Sequence, residues 1–208
     1  MRNNTIKKRI SLLIAVFMIT SILISCAKEP NEIVGVWETK IPHTDLTSGS
    51  THDDREYMKY VDFSNVYKRQ VFEFDEKGFY KKTVYVDEYI EDYKEAVFAG
   101  IKLYYAEVIA KNNLDVTVEE ALEADNISKD SIIDSESVKK LKKEAETEGK
   151  YRVMDGNLYL SAAKEYEVDQ SIYITYSINQ DQLVFKKQVG GDVLDAAKFF
   201  PLTFERVK

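Results

Sequence analysis

"KRQVFEFDEKGFYKKTVYVDEY", residues 68–89, decides the fold. Phe72 and Phe74 alternate with polar neighbours up to Asp75-Glu76-Lys77-Gly78. Beyond that turn Tyr80, Lys82, Val84 and Val86 alternate against Phe79, Lys81, Thr83 and Tyr85. A period of two on both sides of a Gly-containing turn is a β-hairpin. Working outward, "KYRVMDGNLYLS" turns at Asp155-Gly156, a strong short-range hairpin signal. "SIYITYSINQDQLVFKKQ" turns at Asn179 to Gln182. "IVGVWETKI", from Ile33, opens the series and "PLTFERVK" ends it, with "GGDVLDAAKFF" before it as a loop or short helix. About eight strands joined mostly by tight turns predict a mainly β fold, an antiparallel up-and-down barrel or a strongly curved sheet.

One segment breaks this rhythm. Ile90, Tyr93, Val97, Ile101, Tyr104 and Val108 recur three and four apart, and Phe98, Tyr105 and Ile109 widen the stripe. That is an amphipathic helix, despite the cost of Gly100 inside it. Thr117 to Glu120, "TVEE", fits a capping box. Asp134 or Ser135 suits the start of another helix, with Gly149 as its stop. The sequence thus predicts an α-helical insertion over 90–148 within a β domain spanning 33–208. The apolar stripe suits packing on the barrel, a lid over its mouth, or a face for a partner protein.

The N-terminal residues have another character. Arg2, Lys7, Lys8 and Arg9 precede "ISLLIAVFMITSILIS", which is shorter than the roughly 20 clean apolar residues a spanning helix prefers. This reads as an export signal over residues 1–25. The chain's only cysteine, Cys26, follows directly, and 26–32 read as a polar spacer. Without the signal the net charge moves from −7 to −11 over 183 residues. Such a surface repels nucleic acid and anionic headgroups. With no second cysteine the domain forms no disulfide, so packing must hold it together. Tyr (14) and Phe (10) are abundant, which suits half-buried pleated strands.

Leu23-Ile24-Ser25-Cys26 resembles the bacterial lipobox. The resemblance implies cleavage between Ser25 and Cys26 and a diacylglycerol thioether on Cys26. The membrane is then the partner, through acyl chains, at the extracytoplasmic face of the cell envelope. The layout from Ile33 onward, outside the insertion, resembles the bacterial lipocalin-like lipoproteins. "VGVW" soon after the cysteine, the hairpin order and "LTFERV" as the last strand carry that likeness. It implies that Gly35 and Trp37 form the Gly-x-Trp that closes one barrel end, with Arg206 stacked on the tryptophan. It also departs from that pattern, because the insertion is foreign to a plain lipocalin and no convincing Thr-Asp-Tyr lies between the later strands.

A barrel of this size is filled by side chains or holds one small ligand. The inward residues, among them Leu158, Ile174, Phe185 and Phe204, are large, which predicts a mostly packed interior with at most a modest apolar pocket. In the sharper alternative, Tyr80, Tyr151 and Tyr176 supply polar points in a lipophilic pocket. His43 and His52 share the loop "HTDLTSGSTHDD", weak candidates for a divalent ion that lack close fixed spacing. No nucleophile motif or phosphate loop occurs, no cofactor is implied, and an enzyme is not expected. Two functions remain. One is a lipid-anchored module binding a small lipophilic ligand. The other is a structural or interaction lipoprotein whose insertion contacts an envelope protein. The first expectation to test is the anchor. Mass spectrometry of the mature protein should find Cys26 N-terminal and lipid-modified, and a free thiol there, or an intact signal, contradicts it.

Overall fold

A computed structural model of the chain describes residues 32–47, 55–161, 163–191 and 200–208. The signal, Ser25, Cys26, His52 and residues 192–199 therefore lie outside the described residues. Eight strands close into an antiparallel barrel in the order of the sequence. They are β1 (Gly35–Pro42), β2 (Tyr67–Phe74), β3 (Phe79–Val84), β4 (Glu146–Met154), β5 (Asn157–Leu160), β6 (Tyr173–Asn179), β7 (Gln182–Val189) and β8 (Leu202–Arg206). The up-and-down barrel expected from the hairpins is the fold. Its lower rim carries the turns at 75–78, 155–156 and 180–181, where Gly78, Asp155, Gly156 and Gln180 take positive φ. Its upper rim carries the longer connections.

Among the described residues, four α-helices sit on those connections. Helix α1 (His43–Thr47) follows β1, and α2 (Val86–Asn112), α3 (Val118–Ala124) and α4 (Ser135–Lys143) join β3 to β4. Thr117 closes the expected capping box with Glu120, and Asp134 caps α4 by accepting from the amides of Glu136 and Ser137. The insertion is shifted toward the N-terminus relative to the predicted 90–148. Val84 is the last ladder residue, and the helix begins one turn early at Val86. The reason is packing: Val84, Val86 and Ile90 bury together against Val138 and Leu141. At the other end α4 stops at Glu144, whose amide bonds Lys140 and Leu141 carbonyls, and Glu146 is already opposite Thr83.

Gly149 is therefore no helix stop. It lies inside β4, where a Cβ would stand 2.5 Å from the Ser161 carbonyl oxygen and 2.7 Å from the Tyr80 ring. Glycine is needed so that the chain leaving β5 can fold back against β4, with the Ser161 amide donating to the Lys150 carbonyl at 2.9 Å.

The core lies inside the barrel. Trp37, Phe72, Leu158, Leu183, Phe185 and Phe204 are fully buried. Phe72 meets Phe185 and Phe204 edge-on, at 5.7 and 5.6 Å between centroids, and Phe74 meets Tyr151 likewise at 5.0 Å. The insertion has its own core of Val97, Ile101 and Leu122, with Tyr57, Val61 and Phe63 from the β1–β2 connection packed on it. Gly100 explains itself here, since a Cβ would stand 2.5 Å from a Val61 methyl and 3.0 Å from its backbone. Alanine at position 100 gains about 1 kcal/mol of helix propensity but overpacks this contact by about 1–3 kcal/mol. Gly100→Ala should therefore lower the midpoint of urea unfolding, and a raised midpoint would show that the close approach does not hold.

Candidate functional site

The lower end of the barrel is closed from the sequence upward. Trp37 points inward from β1 and its indole Nε1 donates to the Ile33 carbonyl at 2.7 Å. Arg206, directly opposite Trp37 across the β1–β8 seam, lays its guanidinium over the indole at 4.1 Å from the ring centroid. Its Nη1 donates to the Val34 carbonyl at 2.9 Å. Gly35 makes room for this. Its φ is +137°, and a Cβ there would stand 2.6 Å from Arg206 Nη1. The three residues of the proposed fold signature are thus brought together in one place. They plug the barrel floor and leave no reactive group there.

Above the floor the described inward residues form an aromatic-rich core. Tyr80 and Tyr151 belong to the buried core, and Tyr176 is half-buried against it. The Tyr80 hydroxyl donates to the Ser161 carbonyl at 2.8 Å, and that of Tyr151 to the Asp75 carbonyl at 2.6 Å. Burial pushes both phenols up to about 12, so they stay protonated donors. Their polar ends tie loops to strands. Toward the upper rim the inner face turns polar: Thr39 and Gln70, opposite each other, are buried, and Lys82 shares the inward face of its neighbour Phe72.

His43 opens α1 and is buried, with its amide donating to the Val66 carbonyl at 2.9 Å. Its ring stands 4.3 Å from Phe63 and 5.1 Å from Tyr93, and Nδ1 shares a 2.8 Å hydrogen bond with the Tyr89 hydroxyl. Phe63, Tyr89 and Tyr93 come from the β1–β2 connection and α2, so this imidazole fastens the insertion to the barrel. No group of three or more metal-ligating side chains converges among the described residues.

Two outer surfaces stand out among the described residues. A cleft of about 530 Å³ lies over the β1–β8 seam, lined by Glu38, Thr39, Lys40, Thr203, Glu205, Arg206 and Val207. Glu38 is held there by Arg69 at 2.9 Å, and Arg69 in turn stacks on Tyr85 at 3.8 Å. On α2, Ala99, Leu103, Ala106 and Ala110 recur four, three and four apart and are all exposed, Leu103 to 58%. Leu114 and Val116 just beyond the helix are exposed as well. The sequence reading named the buried stripe of this helix and missed the outer one, because alanine carries little periodic signal. The His43 box was also missed, since its four rings are spread from position 43 to 93.

No family model matches the chain, nor does any curated protein or solved structure. Among the described residues no helix is long and apolar enough to cross a membrane.

Burial holds the His43 pKa below its ordinary 6.5. The unfolded chain therefore binds a proton in a pH range where the folded chain does not. Stability from this group is complete above about 6.5 and declines as pH falls from there toward the lowered folded value. Unfolding free energy should fall between pH 7 and 5, and His43→Gln should flatten that part of the slope. An unchanged slope in the variant would remove His43 from the account.

Proposed function

We propose that this protein is a lipoprotein of the cell envelope, tethered through acyl chains on Cys26, whose barrel is a scaffold and whose helical insertion meets another envelope protein. The observation that carries the reading is the exposed apolar stripe of α2, beside a barrel whose inward residues form an apolar core. The interior is closed by Trp37 and Arg206 and occupied by aromatic rings. Outside, Ala99, Leu103, Ala106 and Ala110 present small residues along one helical face, the kind of surface onto which a second helix docks closely. The chain enters the barrel at the lower rim, at Gly35, whereas α2 to α4 connect at the upper rim. A tether through residues 27–32 would therefore hold the lower rim and leave the insertion at the opposite one.

The lipobox-like "LISC" and the basic, then apolar, residues before it support the tether. The net charge of −11 after removal of residues 1–25 supports anchoring by acyl chains rather than by a basic surface.

A second reading, a lipocalin-like module holding a small lipophilic ligand, draws support from the cleft over the β1–β8 seam, behind which core residues lie.

The scaffold reading is tested in cells. A photo-crosslinking residue placed at Leu103, Ala106 or Ala110 should trap one and the same envelope protein from all three sites, while the same probe on Lys139 of α4 should not. Leu103→Glu should abolish the adduct and change folding stability by no more than about 0.5 kcal/mol. Absence of an adduct from all three sites contradicts the reading.

A further inference from the structure

The seams of the barrel are unequal. β1 pairs with β2 along its whole length, from Gly35 to Pro42. With β8 it pairs only at Trp37 with Arg206 and Glu38 with Glu205. Continuing that register would set Thr39 against Phe204, Lys40 against Thr203 and Ile41 against Leu202, and none of these pairs forms. The 530 Å³ cleft sits on this unpaired stretch, and Thr39, Lys40 and Thr203 line it. Immediately inside, Ile41, Leu202 and Phe204 are core residues. The lower end of the same seam is clasped by Arg206 on Trp37, by Arg206 to the Val34 carbonyl, and by the Val207 amide donating to the Val36 carbonyl at 2.9 Å.

The β5–β6 seam also pairs at only two positions, Asn157 with Thr175 and Leu158 with Ile174. There, however, the Tyr159 and Tyr173 rings close across it at 5.6 Å, and both strands are continued by others. β8 stays on β7 through four pairs, Gln182 to Phe185.

We infer that the barrel opens sideways along the upper half of the β1–β8 seam, pivoting on the Trp37–Arg206 clasp, and that this is the route by which a small apolar molecule reaches the core between Ile41 and Leu202. Such an opening breaks no β1–β8 ladder pair above Glu38, because none of the three upper pairs exists. With fewer ladder pairs holding it than the β1–β2 seam, this seam is the easier of the two to open locally. The opening also leaves the insertion at the upper rim undisturbed. The seam stands on the pairing alone, and its use as a route rests on the lipophilic-ligand reading.

Two measurements keep these apart. In the full chain carrying Cys26→Ser, a single engineered thiol at Leu202→Cys, or at Ile41→Cys if that variant fails to fold, is labelled with a small maleimide under native conditions. Labelling should run at least about tenfold faster than at Leu158→Cys after correction for each variant's global stability. Equal rates overturn the sideways opening. In the second measurement, Lys40→Cys and Thr203→Cys are bridged by a short bis-maleimide and the fluorescent apolar probe N-phenyl-1-naphthylamine is added. Uptake should slow about tenfold or more on bridging. Unchanged uptake in the bridged protein overturns the route while leaving a ligand in the barrel. No uptake in either form, together with fast labelling at position 202, overturns the ligand reading while upholding the opening.

Discussion

A cation resting on an indole holds the first and last strands together. The barrel closes only where β1 meets β8, and those strands share two residue pairs, one of which is Trp37 with Arg206. The clasp combines a ring contact, a hydrogen bond to the Val34 carbonyl and a glycine whose missing Cβ leaves space for the guanidinium. Each part is modest, and a partly desolvated cation–π contact is worth about 1 kcal/mol or somewhat more. Their effect is large because closure removes the two edges of an otherwise open eight-stranded sheet.

Closure in turn shapes what the inside can do. A disulfide-free domain must gain its stability from apolar burial, and here large rings pack edge to face inside the barrel. Tyr80 and Tyr151 show how this is done without leaving buried hydroxyls unsatisfied, since each ring packs in the core while its oxygen bonds a backbone carbonyl. Among the described residues, two outer surfaces stand out: the seam cleft, where pairing stops after Glu38, and the outer stripe of α2. His43, in its box of Phe63, Tyr89 and Tyr93, ties that helix back to the end of β1.

The hairpins were legible because alternation and turn chemistry are local. Phe72, Phe74, Gly78 and Tyr80 state β2, its turn and β3 within nine residues, and Asp155-Gly156 does the same for β4 and β5. The helix caps at Thr117 and Asp134 were legible for the same reason. The ends of the insertion were not, because they depend on packing between distant segments. Val86 alternates as a strand residue but is buried with Val138 and Leu141, and Gly149 looks like a helix stop but exists for Ser161 and Tyr80. Of the site residues, Gly35, Trp37 and Arg206 were suggested by likeness in layout, whereas the unpaired seam above them is a matter of register between strands more than 160 residues apart, which no local pattern encodes.

The most direct measurement is a double-mutant cycle on the clasp, with Trp37→Leu, Arg206→Met and the double variant compared by urea unfolding. The account predicts that the two side chains are coupled by about 1 kcal/mol or more, so that the double variant loses less stability than the two single losses added together. Effects that add to within about 0.3 kcal/mol would show that the indole and the guanidinium act independently, and that something else closes the barrel.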